Sequence, residues 1–222
     1  MSSFSVAKTF FTSESLEASS TQYDPSKYMS TSTGNHVSRT SVLCGPQNIH
    51  LHGKTIVQDG AVLRGDLATV KIGRNCIIEE GTVIRPGYKR YKGGFAFVPI
   101  QIGEYVVIGS GSVIEAAAIG TNVVIGNNVI IGRRAIIKDC TVVMDNTVIA
   151  PDTVVPPFSC FCGIPGKIIE HGESDIIDNV SEERSLFGQP HSTELSPSTP
   201  NLIQEYVKKL YNSFKNKEAE SY

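Results

Sequence analysis

The chain has 222 residues, 40% of them hydrophobic and 19% charged, with a formal net charge of −2, which suits one domain of ordinary size plus tails. That balance offers no broad attraction for polyanions, so nucleic acid is excluded as a primary partner, and no run approaches the ~18 apolar residues of a membrane span, which excludes direct membrane insertion. Five cysteines (Cys44, Cys76, Cys140, Cys160, Cys162) without CxxC spacing fit reduced thiols in cytosol, with a metal held by the "CFC" pair as the alternative to small buried side chains.

Residues 1–30 begin "MSSFSVAKTFFTSESLEASS", Ser-rich but carrying Glu14 and Glu17 and a single Lys8. The acidity argues against a transit peptide, and the composition predicts a disordered extension. From 31 to 169 one period dominates, and such a period decides the fold. Ile72, Ile78 and Ile84 are six apart, as are Ile102, Ile108 and Ile114. Ile119 then opens Ile125, Ile131, Ile137, Val143, Ile149, Val155 and Phe161. Four residues after these aliphatics stand small or β-branched side chains such as Cys76, Thr82, Ser112, Val129 and Thr147.

Six is even, so along an extended chain every sixth residue points to the same side. On an α-helix the same step leaves successive isoleucines some 120° apart, and no apolar stripe results. The prediction is an all-β domain, a parallel β-helix with three short strands per coil. About five coils lie between Ile72 and Phe161, with one or two more in "SVLCGPQNIHLHGKTIVQDGAVLRGD". Gly73, Gly103, Gly109, Gly120, Gly126 and Gly132 follow the inward residues, where a sharp bend between strands is expected to need a residue without Cβ.

The rhythm breaks twice. The inward positions 90 and 96 hold Arg90 and Ala96, so a loop from Pro86 to Pro99 leaves the prism. Tyr88, Lys89, Arg90, Tyr91 and Lys92, then Phe95 and Phe97 beyond two glycines, combine charge with aromatic area in the way of a partner-binding element for an acidic surface. The plainer reading is a solvated turn whose aromatics fold back on the prism. After "GIPGKIIE" the repeats stop. Residues 170–199 have the Ser, Pro and acidic content of a flexible linker. Residues 200–216 set Leu202, Ile203, Tyr206, Val207, Leu210, Tyr211 and Phe214 at helical spacing, with Thr199 and Pro200 as N-cap and first turn. This C-terminal helix lies back on a β-helix face or docks on a partner.

Acyl transfer on such a scaffold needs a histidine base projecting from a coil. Between Gly53 and Glu170 there is no histidine, and His50 and His52 in "NIHLHG" are expected at surface strand positions. Sugar-nucleotide transferases of this repeat class add a Gly-rich nucleotide-binding domain, for which the tails leave no room.

"AVLRGDLATVKIGRNCIIEEGTVIR" and "VVIGSGSVIEAAAIG" resemble the coils of γ-class carbonic anhydrases, including the "RGD" of Arg64, Gly65 and Asp66. The resemblance implies a left-handed parallel β-helix in which Arg64 and Asp66 are structural. That family binds zinc through three histidines, and the matching positions here are Arg85, Ser110 and Glu115; the family's glutamine is replaced by Glu79. A guanidinium at a ligand position repels the cation, so neither metal nor other cofactor is expected. "VSRTSVLCGPQNI", "AFVPIQIGEYVVIG" and "DNTVIAPDTVVPPF" are similar to the smaller β-helix subunits of the dynactin pointed-end complex, across roughly Ser32 to Gly166 and again in the terminal helix.

This second resemblance implies a non-catalytic structural and adaptor subunit, cytoplasmic and cytoskeleton-associated. It implies a heterodimer with a second β-helix dynactin subunit, docking on the actin-related protein at the pointed end among other dynactin subunits, and service to dynein cargo adaptors and endosome recruitment. The N-terminal extension and the linker depart from the family pattern. The alternative is a degenerate protein of the γ-carbonic-anhydrase kind, mitochondrial, or of the hexapeptide acyltransferase kind.

Overall fold

A computed structural model of the chain describes residues 25–168 and 195–219. The expected disordered extension up to residue 24 and nearly all of the expected linker lie outside the described residues. A 3-10 turn at Pro25–Lys27 leads into β1 (Tyr28–Ser30), which pairs antiparallel with β2 (His36–Ser38), so ordered structure begins before the expected boundary at residue 31.

From β2 onward the chain winds in triangular coils. The first comprises β2, β3 (Val42–Cys44) and β4 (Ile49–Leu51). The second comprises β5 (Ile56–Val57), β6 (Val62–Arg64) and β7 (Val70–Ile72). In the third, β8 (Ile77–Ile78) and β9 (Val83–Ile84) precede a hairpin of β10 (Tyr88–Tyr91) and β11 (Gly94–Phe97), and β12 (Ile100–Ile102) closes the coil. The fourth is β13 (Val106–Ile108), β14 (Val113–Ile114) and β15 (Ala118–Ile119). The fifth is β16 (Val123–Ile125), β17 (Ile130–Ile131) and β18 (Ile136–Ile137), and the sixth β19 (Val142–Val143), β20 (Val148–Ile149) and β21 (Val154–Val155). A final strand, β22 (Cys160–Cys162), is capped by antiparallel β23 (Lys167–Ile168).

Three flat parallel sheets result. Face A runs from β2 through β5, β8, β13, β16 and β19 to β22; face B stacks β3, β6, β9, β14, β17 and β20; face C stacks β4, β7, β12, β15, β18 and β21. The six-residue period explains the register. Ile78 lies beside Ile108, Ile108 beside Ile125, and Ile125 beside Val143, so each inward aliphatic stacks on its counterpart in the next coil. Every large aliphatic of the periodic series from Ile72 to Val155 is buried.

The second inward set is equally buried and partly polar, with Thr82, Ser112, Thr141 and Thr147 enclosed in the corners. The hydroxyls of Thr82, Ser112 and Thr141 serve the turns, while Thr147 Oγ1 finds no partner among the described residues. Thr82 Oγ1 donates to the Gly109 carbonyl at 3.1 Å, and Ser112 Oγ to the Gly126 carbonyl at 2.9 Å, each bridging one coil to the next. A buried hydroxyl without such an acceptor would cost more than it contributes.

The glycines play a different part from the one expected. Left-handed bend residues include Gly45, Gly60, Gly81 and Gly111, and elsewhere side-chain-bearing residues such as Asn75, Asn128 and Asn146. Gly109 and its equivalents have ordinary backbone angles but stand where one coil approaches the next. A Cβ on Gly109 would sit 2.5 Å from the Gly126 carbonyl carbon. Close stacking, rather than positive φ, removes the side chain there.

The C-terminal helix α1 (Thr199–Ala219) starts near the last coil and ends over the first. Its cap lies one residue earlier than expected: the Ser198 carbonyl accepts from Asn201 N at 3.1 Å and Leu202 N at 3.3 Å. Ile203 and Val207 are fully buried on the outward side chains of face A: Ile56, Ile77, Val107, Val124, Val142 and Cys160. Face A is thus apolar on both sides, which is why its strands read as continuous aliphatic runs. Among the described residues no helix is long and apolar enough to cross a membrane.

Candidate docking surfaces

The expected site residues collect on the corner between faces B and C and on the corner between faces A and B. Strand order dictates this: Arg85, Glu115, Arg133, Arg134 and Asp152 occupy turns that lead from a face-B strand to a face-C strand, with Arg64 ending β6 at the same corner, while Glu79 and Ser110 occupy turns from A to B.

The three positions matched to zinc ligands do not form one donor set. Arg85 and Glu115 meet across neighbouring coils, with Arg85 Nε donating to Glu115 Oε1 at 2.6 Å. Arg133 Nε stands 4.0 Å from the other carboxylate oxygen. The guanidinium therefore takes up the carboxylate that would otherwise be a donor. Ser110 belongs to the other corner, where its hydroxyl and backbone N–H donate to Glu79 Oε2 at 3.0 and 3.1 Å. Burial raises the Glu79 carboxyl above its usual range, against those two hydrogen bonds. The thiols are separate chemistry: Cys76 and Cys160 are buried and pushed up to about 12 by that burial.

Arg64 and Asp66 form a bidentate ion pair, Nε to Oδ1 at 2.7 Å and Nη2 to Oδ2 at 2.8 Å. The guanidinium holds the Asp66 carboxyl below its ordinary value. Both side chains are about a third exposed, so the pair lies at the second-coil corner in contact with water.

The segment expected as a loop is a hairpin. Tyr88 pairs with Phe97, Lys89 with Ala96, Arg90 with Phe95 and Tyr91 with Gly94 around a tight turn at Lys92 and Gly93. An isolated two-stranded hairpin is marginal in water, and contacts on both faces support this one. Phe95 packs edge-on against Tyr88 and Phe97, with centroids 6.3 and 5.7 Å apart. Lys89 lies over the Tyr91 ring on the other face.

The hairpin is also clamped to the prism. Arg133 stacks on Tyr88 at 4.5 Å, and Arg134 Nη1 donates to the Tyr88 carbonyl at 2.7 Å. Arg134 itself is oriented by Asp152, whose Oδ1 accepts from its Nε at 2.6 Å. Phe95 nevertheless remains 67% exposed and Tyr91 57%, so the aromatics cluster with one another rather than fold away onto the coils. Sequence reading missed Arg133 and Arg134, because two arginines on a regular turn carry no sign that they face a hairpin from an earlier coil.

The histidines expected at surface strand positions fall in the first coil. His50 points outward from face C, and His52 Nδ1 lies 2.9 Å from the Ile72 carbonyl. His36 is buried beneath α1, between Tyr211 and Phe214. Among the described residues no group of three or more His, Cys, Asp or Glu side chains could hold a metal ion.

The fold has solved counterparts. A hexapeptide transferase family protein from Anaplasma phagocytophilum superposes with a TM-score of 0.57 at 17% identity, covering 83% of this chain and 93% of that one, a likeness of fold alone. The architecture is accordingly the expected left-handed parallel β-helix of hexapeptide repeats with an added C-terminal helix. In sequence, the chain is 53% identical over 188 residues to dynactin subunit 5 of Dictyostelium discoideum, covering 82% of this chain and 94% of that protein. The family model for dynactin subunit 5 matches residues 16–181, a span that takes in all six coils and the clamped hairpin, and the chain belongs to the dynactin subunit 5 family.

Proposed function

We propose that the chain is a non-catalytic structural and adaptor subunit of the dynactin pointed-end complex, acting in the cytoplasm on the cytoskeleton in dynein-dependent cargo recruitment, endosomes included. The observation that carries this reading is the family match over residues 16–181. It is supported by the occupation of the three ligand-equivalent positions with an arginine–glutamate pair and a serine turned to Glu79, an arrangement that offers a cation neither three donors nor an open position.

In this reading the partners are a second β-helix subunit, the pointed-end actin-related protein, other dynactin subunits and, through them, dynein cargo adaptors. The hairpin residues Tyr88, Lys89, Arg90, Tyr91, Lys92, Phe95 and Phe97 contact an acidic partner surface. Arg64 and Asp66 hold the second-coil turn in shape. Capture of the full chain under native conditions tests the proposal: actin-related proteins and dynactin's large arm subunit are expected among the captured chains. One tightly held zinc per chain, or carbon dioxide hydration or acyl transfer by the purified chain, would overturn it.

A further inference from the structure

The outward residues of face B form one unbroken aliphatic ladder. Val42 lies beside Val62, Val62 beside Val83, Val83 beside Val113, Val113 beside Ile130, and Ile130 beside Val148. Val42 and Ile130 are 49% and 46% exposed, and Val62, Val83, Val113 and Val148 are half-buried. Above the last rung Val148 N donates to the Gly163 carbonyl at 3.1 Å, next to the exposed Ile164. The apolar stripe of α1 is spent on face A, so face B is a contiguous apolar surface of the kind that marks a contact.

The described chain begins at the foot of this ladder. β1 sets Tyr28 beside Ser38, the last residue of β2, so the residues before Tyr28 pass the corner between faces A and B. Two hydrogen bonds hold them there: Arg39 N donates to the Lys27 carbonyl at 2.8 Å, and Arg39 Nε to the Ser26 carbonyl at 3.0 Å. Arg39 lies in the turn that leads directly to β3 and Val42. Residues 1–24 therefore join the prism beside the first rung of face B.

Apolar residues are spread unevenly over those 24. Phe4, Val6, Ala7, Phe10 and Phe11 fall within the block "FSVAKTFF", whereas residues 12–24 set Leu16, Ala18 and Tyr23 among Ser, Thr, Gln and the acids Glu14, Glu17 and Asp24. Area and reach both match face B. Three phenylalanine rings at ~150 Å² each bring roughly 450 Å² of apolar surface. Six rungs at ~4.8 Å and a side of five residues at ~3.3 Å make a flat patch of roughly 475 Å². A tether the length of residues 12–24 has a root-mean-square span of about 20 Å, against ~24 Å from the first rung to the sixth.

We propose that Phe4–Phe11 of the same chain seats on face B, with its rings against the ladder around Val113 and Ile130. The short tether holds the block at a local concentration of order millimolar, so a weak contact suffices. Charge agrees with this seat. Lys8 meets the leading edge, where Asp59, Glu80 and Asp145 outnumber Arg39. Glu14 and Glu17 meet the trailing edge, where Lys89, Arg90 and Lys92 of the hairpin are surplus to the ion pairs of Arg64, Arg85 and Arg134. A partner for face B then has to displace the block.

Trypsin tests this on the purified full-length chain, because Lys8 is the single Lys or Arg among residues 1–24. Cleavage after Lys8 is expected to be about fivefold slower in wild type than in Val113→Asp with Ile130→Asp, a ratio equivalent to about 1 kcal/mol. Phe10→Ser with Phe11→Ser removes two rings without touching the coils, and should speed the same cut by the same factor. Val154→Asp on face C should leave it within about 1.5-fold of wild type. A photoreactive benzoylphenylalanine at position 10 should cross-link to face B near Val113 and Ile130.

Cleavage at one rate in wild type and both double variants overturns the proposal, and so does an effect of only one of the two. Cross-links from position 10 to face C or α1 overturn it as well. Protection that fades on tenfold dilution, or cross-links between two chains, would assign face B to a second copy and likewise overturn the seat in cis. Support is protection independent of concentration, lost in both double variants, with cross-links inside one chain. No dynactin subunit takes part in the measurement, so its failure leaves the reading above intact.

Discussion

Faces A and B are built from the same material by the same rule, and they end in different states. Each presents β-branched or small apolar side chains outward along six or more rungs. Face A is covered by α1, which buries Ile203 and Val207 completely. Face B carries nothing among the described residues, and Ile130 remains 46% exposed. The coil therefore does not determine which side of the prism becomes interior. A strand in this fold is amphipathic or apolar on both sides according to what lies outside it, and among the described residues the chain supplies that cover for face A and not for face B.

The sharpest way to break the comparison is to place a charge on each surface. Val207→Asp buries an unpaired carboxylate under α1, and its expected cost is about 3 kcal/mol or more, with release of the helix. Val113→Asp on face B is expected to cost the isolated chain about 1 kcal/mol or less. Chemical denaturation with limited proteolysis of α1 measures both, and equal losses would mean that face B is also buried in the free chain. A gentler version removes volume. Ile203→Ala is expected to cost about 2–4 kcal/mol and Ile130→Ala under about 1 kcal/mol, compared by urea midpoints.

The trailing edge of face B can be loosened without touching either ladder. Arg134→Ala removes the donor to the Tyr88 carbonyl and the partner of Asp152. Faster amide exchange in residues 88–97 is expected, with protection of the coils unchanged. If exchange in the hairpin does not change, the aromatic cluster alone holds it. The smallest effect is expected at the leading edge. Burial raises the Glu79 carboxyl above the 4.5 of a free glutamate, so its ionised form is disfavoured by the fold at neutral pH. That penalty is fully present above the folded pKa and fades as pH falls toward 4.5. Glu79→Gln should therefore raise Tm by about 1–2 °C at pH 7–8, and the gain should close on acidification; a gain that grows at low pH would reverse the assignment.

What the sequence by itself determined is what repeats. An even spacing of six forces the inward aliphatics to one side of an extended chain, and stacking like on like follows from a nearly constant coil length, so the core from Ile72 to Val155 was legible without coordinates. The amphipathic spacing of Leu202 to Phe214 likewise marked a helix with one apolar face. Tertiary structure alone decided what joins distant turns: that α1 lies on face A, that Arg85 meets Glu115 one coil later, that Arg133 and Arg134 clamp the hairpin, and that the spaced glycines serve coil-to-coil approach instead of backbone bends. The physical reason is common to all four. A period along the chain states which residues point inward, but the outward residues of separate coils come together only once the coils stack, and their contacts depend on insertions and short steps that a period does not encode.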